Sequence, residues 1–112
     1  MTRYLISFDD GAMTFPDEDL PAVATATRAV MHAAQEAGVW VLGAGIMSQQ
    51  ASIVGTDGVV RDGPYPETKA VIGGFCVLEV PSRDEALQWA ARFAVSCRCA
   101  QEVREIMGDP SA

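Results

Sequence analysis

Histidine and clustered positive charge are the two things this chain most lacks. It has a single histidine, His32, and eight lysines and arginines against fifteen acidic residues, a formal charge of −7 over 112 residues. The basic residues are scattered singly, with only Arg92, Arg98 and Arg104 near one another. Phosphate backbones are gripped by clustered cations, so nucleic acid is not an expected partner. No apolar run approaches the roughly 18–20 residues that span a bilayer, so no membrane partner is expected either. The hydrophobic stretch in Met1-Thr2-Arg3-Tyr4-Leu5 is too short for a secretory signal and reads directly as a strand, so a cytoplasmic location is expected. There is no G-x-x-x-x-G-K-[ST], no G-x-G-x-x-G after a strand and no G-x-S-x-G. Gly43-Ala44-Gly45 is too short to stand in for a nucleotide loop. No cofactor is expected.

Cysteine is present in an odd number, Cys76, Cys97 and Cys99. Three thiols cannot all pair within one chain, which fits a reducing compartment. Cys76 falls inside an apolar strand and reads as a small buried hydrophobe. Cys97 and Cys99 flank Arg98 and read first as thiols filling space near a helix-to-strand turn, with a reactive role, in which the Arg98 charge lowers a thiolate pKa, as the alternative. A tetrahedral metal site needs more ligands than this pair supplies, and His32 is far away in sequence, so no metal is expected.

The length suits one domain, residues 1–112, with one core. Residues 3–8 form a branched and aromatic first strand ended by Asp9-Asp10-Gly11. Pro16-Asp17-Glu18-Asp19 opens a helix with three carboxylates at the positive end of its dipole. Leu20, Val23, Thr27, Val30, Met31 and Ala34 recur at helical spacing on one face, and Arg28, His32, Gln35 and Glu36 fall on the other. Gly38 is placed to end the helix. The run 39–47 reads as a second strand, in which Gly43 and Gly45 share a face and leave room for a ligand or a close backbone. A hairpin over 52–61 turns at Thr56-Asp57-Gly58. Val71–Val80 is the third main strand. Ser82-Arg83-Asp84-Glu85 is a capping box that starts a helix to about Ala94, burying Ala86, Leu87, Ala90 and Phe93. Residues 100–106 close the chain as a strand.

Strand, helix, strand, inserted hairpin, strand, helix, strand is the split βαβ order of the ferredoxin-like α+β fold: an antiparallel sheet backed by two helices on one face. The opposite face is expected to carry Tyr4, Ile6, Trp40, Leu42, Phe75 and Val77. That is too apolar to leave wet, which predicts a homodimer with facing sheets.

The densest chemistry lies in Asp62-Gly63-Pro64-Tyr65-Pro66-Glu67-Thr68-Lys69. Asp62 can serve as a proton-transfer group if the loop opens onto the sheet, or it can accept hydrogen bonds from its own turn. Glu67 and Lys69 can orient an anionic substrate, or pair with each other as an exposed bridge. Tyr65 can donate a proton or stack on a ligand, or plug a dimer contact. Arg98, with Lys69, is a candidate anion holder.

The segment 62–69, followed by Gly73-Gly74-Phe75, Asp84-Glu85-Ala86-Leu87, Trp89-Ala90-Ala91 and Glu102-Val103-Arg104, strongly resembles the YCII-related family, in the branch whose signature is D-G-P-F. The resemblance spans nearly the whole chain. It implies a dimeric α+β barrel. Some relatives carry a His–Asp pair in the pocket and act on small organic molecules. Here His32 lies on the polar helix face, one turn before Glu36, so that pair is not carried over. Cys97-Arg98-Cys99 also replaces the small glycine-containing turn often seen in the branch, and Glu105 stands where proline is common. Two functional classes follow. One is a metal-independent elimination or isomerisation with Asp62 as proton carrier, in a pocket lined by residues 62–69, the first two strands and the 97–99 turn. The other is a non-catalytic ligand-binding or protein-interaction module, of the kind associated with transcriptional regulation.

Overall fold

The computed structural model describes residues 1–47, 51–63 and 71–108. Eight regular elements follow the expected order: β1 Thr2–Asp9, α1 Leu20–Glu36, β2 Trp40–Gly45, β3 Ser52–Val54, β4 Val60–Asp62, β5 Ile72–Val80, α2 Arg83–Cys97 and β6 Glu102–Glu105. The main sheet runs β2-β5-β1-β6, antiparallel throughout. With the two helices on one face this is the ferredoxin-like arrangement.

Local chemistry explains the helix limits. The three acids Asp17, Glu18 and Asp19 form a 3₁₀ turn that leads into α1. Gly38, at φ 75°, ends α1 in the left-handed region, and its N–H donates to the Gln35 carbonyl at 3.0 Å. Ser82 Oγ accepts from the Glu85 N–H at 3.2 Å, the Ser82 half of the capping box. α2 runs three residues past its expected end. Ser96 stays helical by donating its hydroxyl to the Phe93 carbonyl at 3.1 Å. Arg98 then takes a left-handed conformation, φ 58°, and stops the helix.

The core lies between the helices and the sheet. Ile6, Leu78, Val80, Ala34 and Ala86 are essentially inaccessible, with Tyr4, Cys76, Ala90 and Phe93 around them. Leu87, expected inside, is 43% exposed: it lies about 100° around the helix from buried Ala86.

The sheet faces differ from expectation. Tyr4 and Ile6 are buried towards the helices, and Trp40 packs against the same core. Leu42, Phe75 and Val77 lie on the opposite face. A bulge between Trp40 and Leu42, where Trp40 pairs with Leu78 but Leu42 with Val77, breaks the period-two alternation. Trp40 and Gly43, rather than Trp40 and Leu42, therefore share a face.

β3 and β4 form a separate two-stranded arm. Among the described residues it packs on no other element. The radius of gyration is 15.8 Å, against about 13 Å for a compact domain of this length, in keeping with a projecting arm.

Candidate ligand-binding cavity

A cavity of about 400 Å³ opens between the helix layer and the sheet. Its floor comes from Ile6 and Phe8 of β1, Trp40 and Gly43 of β2, and Cys76 of β5. Val23, Thr27 and Met31 of α1 form one wall, and Phe93 and Cys97 of α2 the other.

Each position has a local cause. The bulge turns Trp40 inward, where its ring lies 6.3 Å from that of Phe93, tilted by 39°. Gly43 is required beneath that ring: a Cβ there would meet Trp40 Cη2 at 2.5 Å. Gly45, on the same face, has no heavy atom within 4 Å of the corresponding point and leaves the cavity open at that end. The shared face of Gly43 and Gly45 does leave room, but at Gly43 a side-chain indole fills it rather than a close backbone, and at Gly45 it is empty.

Polar groups are few. Thr27 Oγ1 and Cys97 Sγ are 3.5 Å apart, joining the two walls. Gln101, at the edge, donates to the Cys99 carbonyl at 3.3 Å. Arg28 is the single charged residue among the described lining. No Asp, Glu or His lines the cavity there. The Cys76 thiol is pushed up to about 12, first by burial and then by the neighbouring Cys97. At neutral pH it is a protonated thiol, unsuited to nucleophilic attack. The described walls are therefore built to hold an apolar body rather than to move protons. Among the described residues no group of three or more His, Cys, Asp or Glu could hold a metal ion.

Of the surroundings expected for a pocket, the first two strands and Cys97 do line this cavity, whereas the two described candidate side chains do not. Asp62 is the exposed last residue of β4, opposite Ser52 on the arm, and does not line the cavity. Arg98 pairs with Asp19 at 2.8 Å and lies over the Phe15 ring at 5.8 Å, and it too is absent from the cavity walls. Tyr65, Glu67 and Lys69 lie outside the described residues. His32 and Glu36 are both exposed on α1. The sequence reading missed Trp40 as cavity floor, Thr27 as its polar contact and Arg28 as its charge. The first was hidden by the bulge, whereas Arg28 is exposed on α1, as its place on the polar face led one to expect, and borders the cavity as well. No described helix is long and apolar enough to cross a membrane.

No curated protein matches the chain. Among solved structures, the fold is similar to that of 5-chloro-2-hydroxyhydroquinone dehydrochlorinase (TftG) from Burkholderia phenoliruptrix AC1100, in complex with 2,5-dihydroxybenzoquinone. The TM-score is 0.50 at 15% identity, over 99% of this chain and 98% of that one. At that identity the similarity is one of fold. The sequence model of the YCII-related domain matches residues 3–108, and the chain belongs to that family.

Proposed function

We propose that this protein binds a compact, mainly apolar ring compound in the cavity between its helices and sheet. The cavity itself carries the reading: at about 400 Å³ it falls within the range of roughly 300–1,000 Å³ usual for small-molecule sites. Trp40 and Phe93 offer aromatic surface to a planar ligand. The ligand of the fold neighbour, 2,5-dihydroxybenzoquinone, is a single ring and agrees in scale. Thermal unfolding against a panel of single-ring quinones and hydroquinones tests this. Stabilisation is expected from at least one compound, and Gly45→Leu, which fills the open end, abolishes it. A panel without any stabilising member would sink the proposal.

The protein acts as a homodimer in this reading. Leu5, Leu42, Phe75 and Val77 form an apolar centre on the open sheet face, framed by the ion pairs Arg3–Glu79 (2.9 Å) and Arg104–Glu102 (2.5 Å). Such a face is costly to leave in water. A monomer in sedimentation at micromolar concentration would refute it. The D-G-P-F branch is assigned on Asp62-Gly63-Pro64 and the residues that follow, and a cytoplasmic setting on three free thiols. An elimination or isomerisation through Asp62 is separable from binding: Asp62→Asn would keep ligand affinity and lose turnover.

A further inference from the structure

Arg28 is exposed on α1 and is the one cation that borders this cavity among the described residues. It lines the cavity, yet none of the described lining residues is acidic. Its helix neighbours one turn away are Ala24, Thr25, Met31 and His32, none of which is a carboxylate. The ion pairs among the described residues engage Arg3, Arg98 and Arg104. Arg92 is laid over the Trp89 ring at 4.5 Å. Arg28, like the exposed Arg61 and Arg83, has no ion-pair partner among the described residues, but of these three it alone lines the cavity.

That pattern has a chemical consequence. A protein of net charge −7 repels anions at long range, so an anionic ligand needs a local cation. A guanidinium supplies one in a planar fork that matches a planar oxyanion. Beneath Arg28 the cavity is apolar and aromatic, floored by Ile6, Phe8 and Trp40. The two surfaces together suit an amphiphile with a ring at one end and delocalised negative charge at the other.

We infer that the ligand is a ring compound bearing a planar oxyanion, a carboxylate or an acidic enolate, held with its ring on Trp40 and Phe93 and its charge on Arg28. This rests on the cavity being the binding site and adds the charge and orientation of what enters it.

The test uses benzoate and its neutral isostere benzamide, read by Trp40 emission in a Trp89→Phe background that leaves Trp40 as the sole indole. Benzoate is expected to bind at least tenfold more tightly than benzamide. Arg28→Met, which keeps most of the stem and removes the charge, should erase that preference, so that benzoate and benzamide bind this variant alike. Arg28→Lys should retain part of it, because the charge stays and the fork is lost. The preference should also weaken as salt is raised. Equal affinity for the two probes, or a preference that survives in Arg28→Met, overturns the inference while leaving the cavity as a binding site. Binding of neither probe overturns this inference and counts against the cavity reading, for which the quinone panel is the separate arm.

Discussion

Gly43→Ala would introduce a methyl carbon 2.5 Å from Trp40 Cη2, 2.8 Å from Cζ2 and 2.9 Å from the Cys76 Cβ. Non-bonded carbons settle at about 3.5–4.0 Å, so the added atom overlaps three neighbours by up to about 1 Å. Two of them belong to a rigid indole, and the third is fixed to the backbone of the adjacent strand. Relief requires Trp40 to swing away from Phe93, or β2 to separate from β5. Overpacking of this kind costs about 1–3 kcal/mol. For a domain of this size that lowers Tm by roughly 4–15 °C. Gly45→Ala is the control two residues along on the same face. A Cβ there meets nothing within 4 Å. Alanine also restricts the unfolded chain more than glycine, so this variant is expected to match or exceed the parent by up to about 1 kcal/mol. Thermal unfolding of both variants, with Trp40 emission recorded in the Trp89→Phe background, checks the pair. A Gly43→Ala protein melting within about 1 °C of the parent would refute the packing account of Trp40, since overpacking is expected to cost more than that. So would equal losses at the two positions.

The Cys76 thiol predicts a particular alkaline behaviour. Its pKa rises from 9.0 to about 12 on folding, by burial first and then by Cys97. The contribution is whole below pH 9; between pH 9 and 12 the unfolded chain gives up a proton that the native state keeps. Stability should therefore fall there by about 1.4 kcal/mol per pH unit from this group. Urea midpoints at pH 8, 9.5 and 10.5 should show a shallower alkaline decline in Cys76→Ala than in the parent, and parallel declines would contradict the assignment. At Arg98 two effects oppose. A non-glycine residue at φ 58° carries a conformational cost of about 1 kcal/mol, whereas the half-exposed pair with Asp19 is worth at most about 1 kcal/mol. Arg98→Gly should be nearly neutral, and Arg98→Ala, which loses the pair and keeps the strain, should melt several degrees lower; in calorimetry, both variants melting well below the parent would show that the pair dominates, and Arg98→Ala melting at or above Arg98→Gly would refute the strain at this position.

The element order was legible in the sequence because each boundary has a local cause. Gly38 reaches a left-handed φ without a Cβ clash, Ser82 satisfies an orphan amide, and the apolar residues of α1 recur at helical spacing. α2 outran its expected end for an equally local reason, the Ser96 hydroxyl bonding back to Phe93. Family membership was also written in the chain, in the residues from Asp62 to Lys69 and their downstream matches. Of that segment only Asp62 and Gly63 are among the described residues, and neither lines the cavity. Asp62 ends on a projecting arm, and the described walls draw on Gly43-Ala44-Gly45, Phe75 and Cys97 together with residues such as Val23, Thr27 and Trp40 that belong to no short motif.

Sequence alone therefore determined the order of strands and helices, the ends that carry a cap or turn residue, and the family, since these depend on periodicity, capping and turn chemistry among near neighbours. Only the tertiary structure decided which way each sheet face looks and where the cavity lies. A bulge of one residue at Val41 reverses the side on which β2 presents its side chains, and a period-two pattern does not record it. Arg28 is the clearest case: on the helix alone it is one more solvated charge. It becomes a candidate anion contact when Ile6, Phe8, Trp40 and Phe93, brought in from three elements far apart in the chain, pack an apolar cavity beneath it.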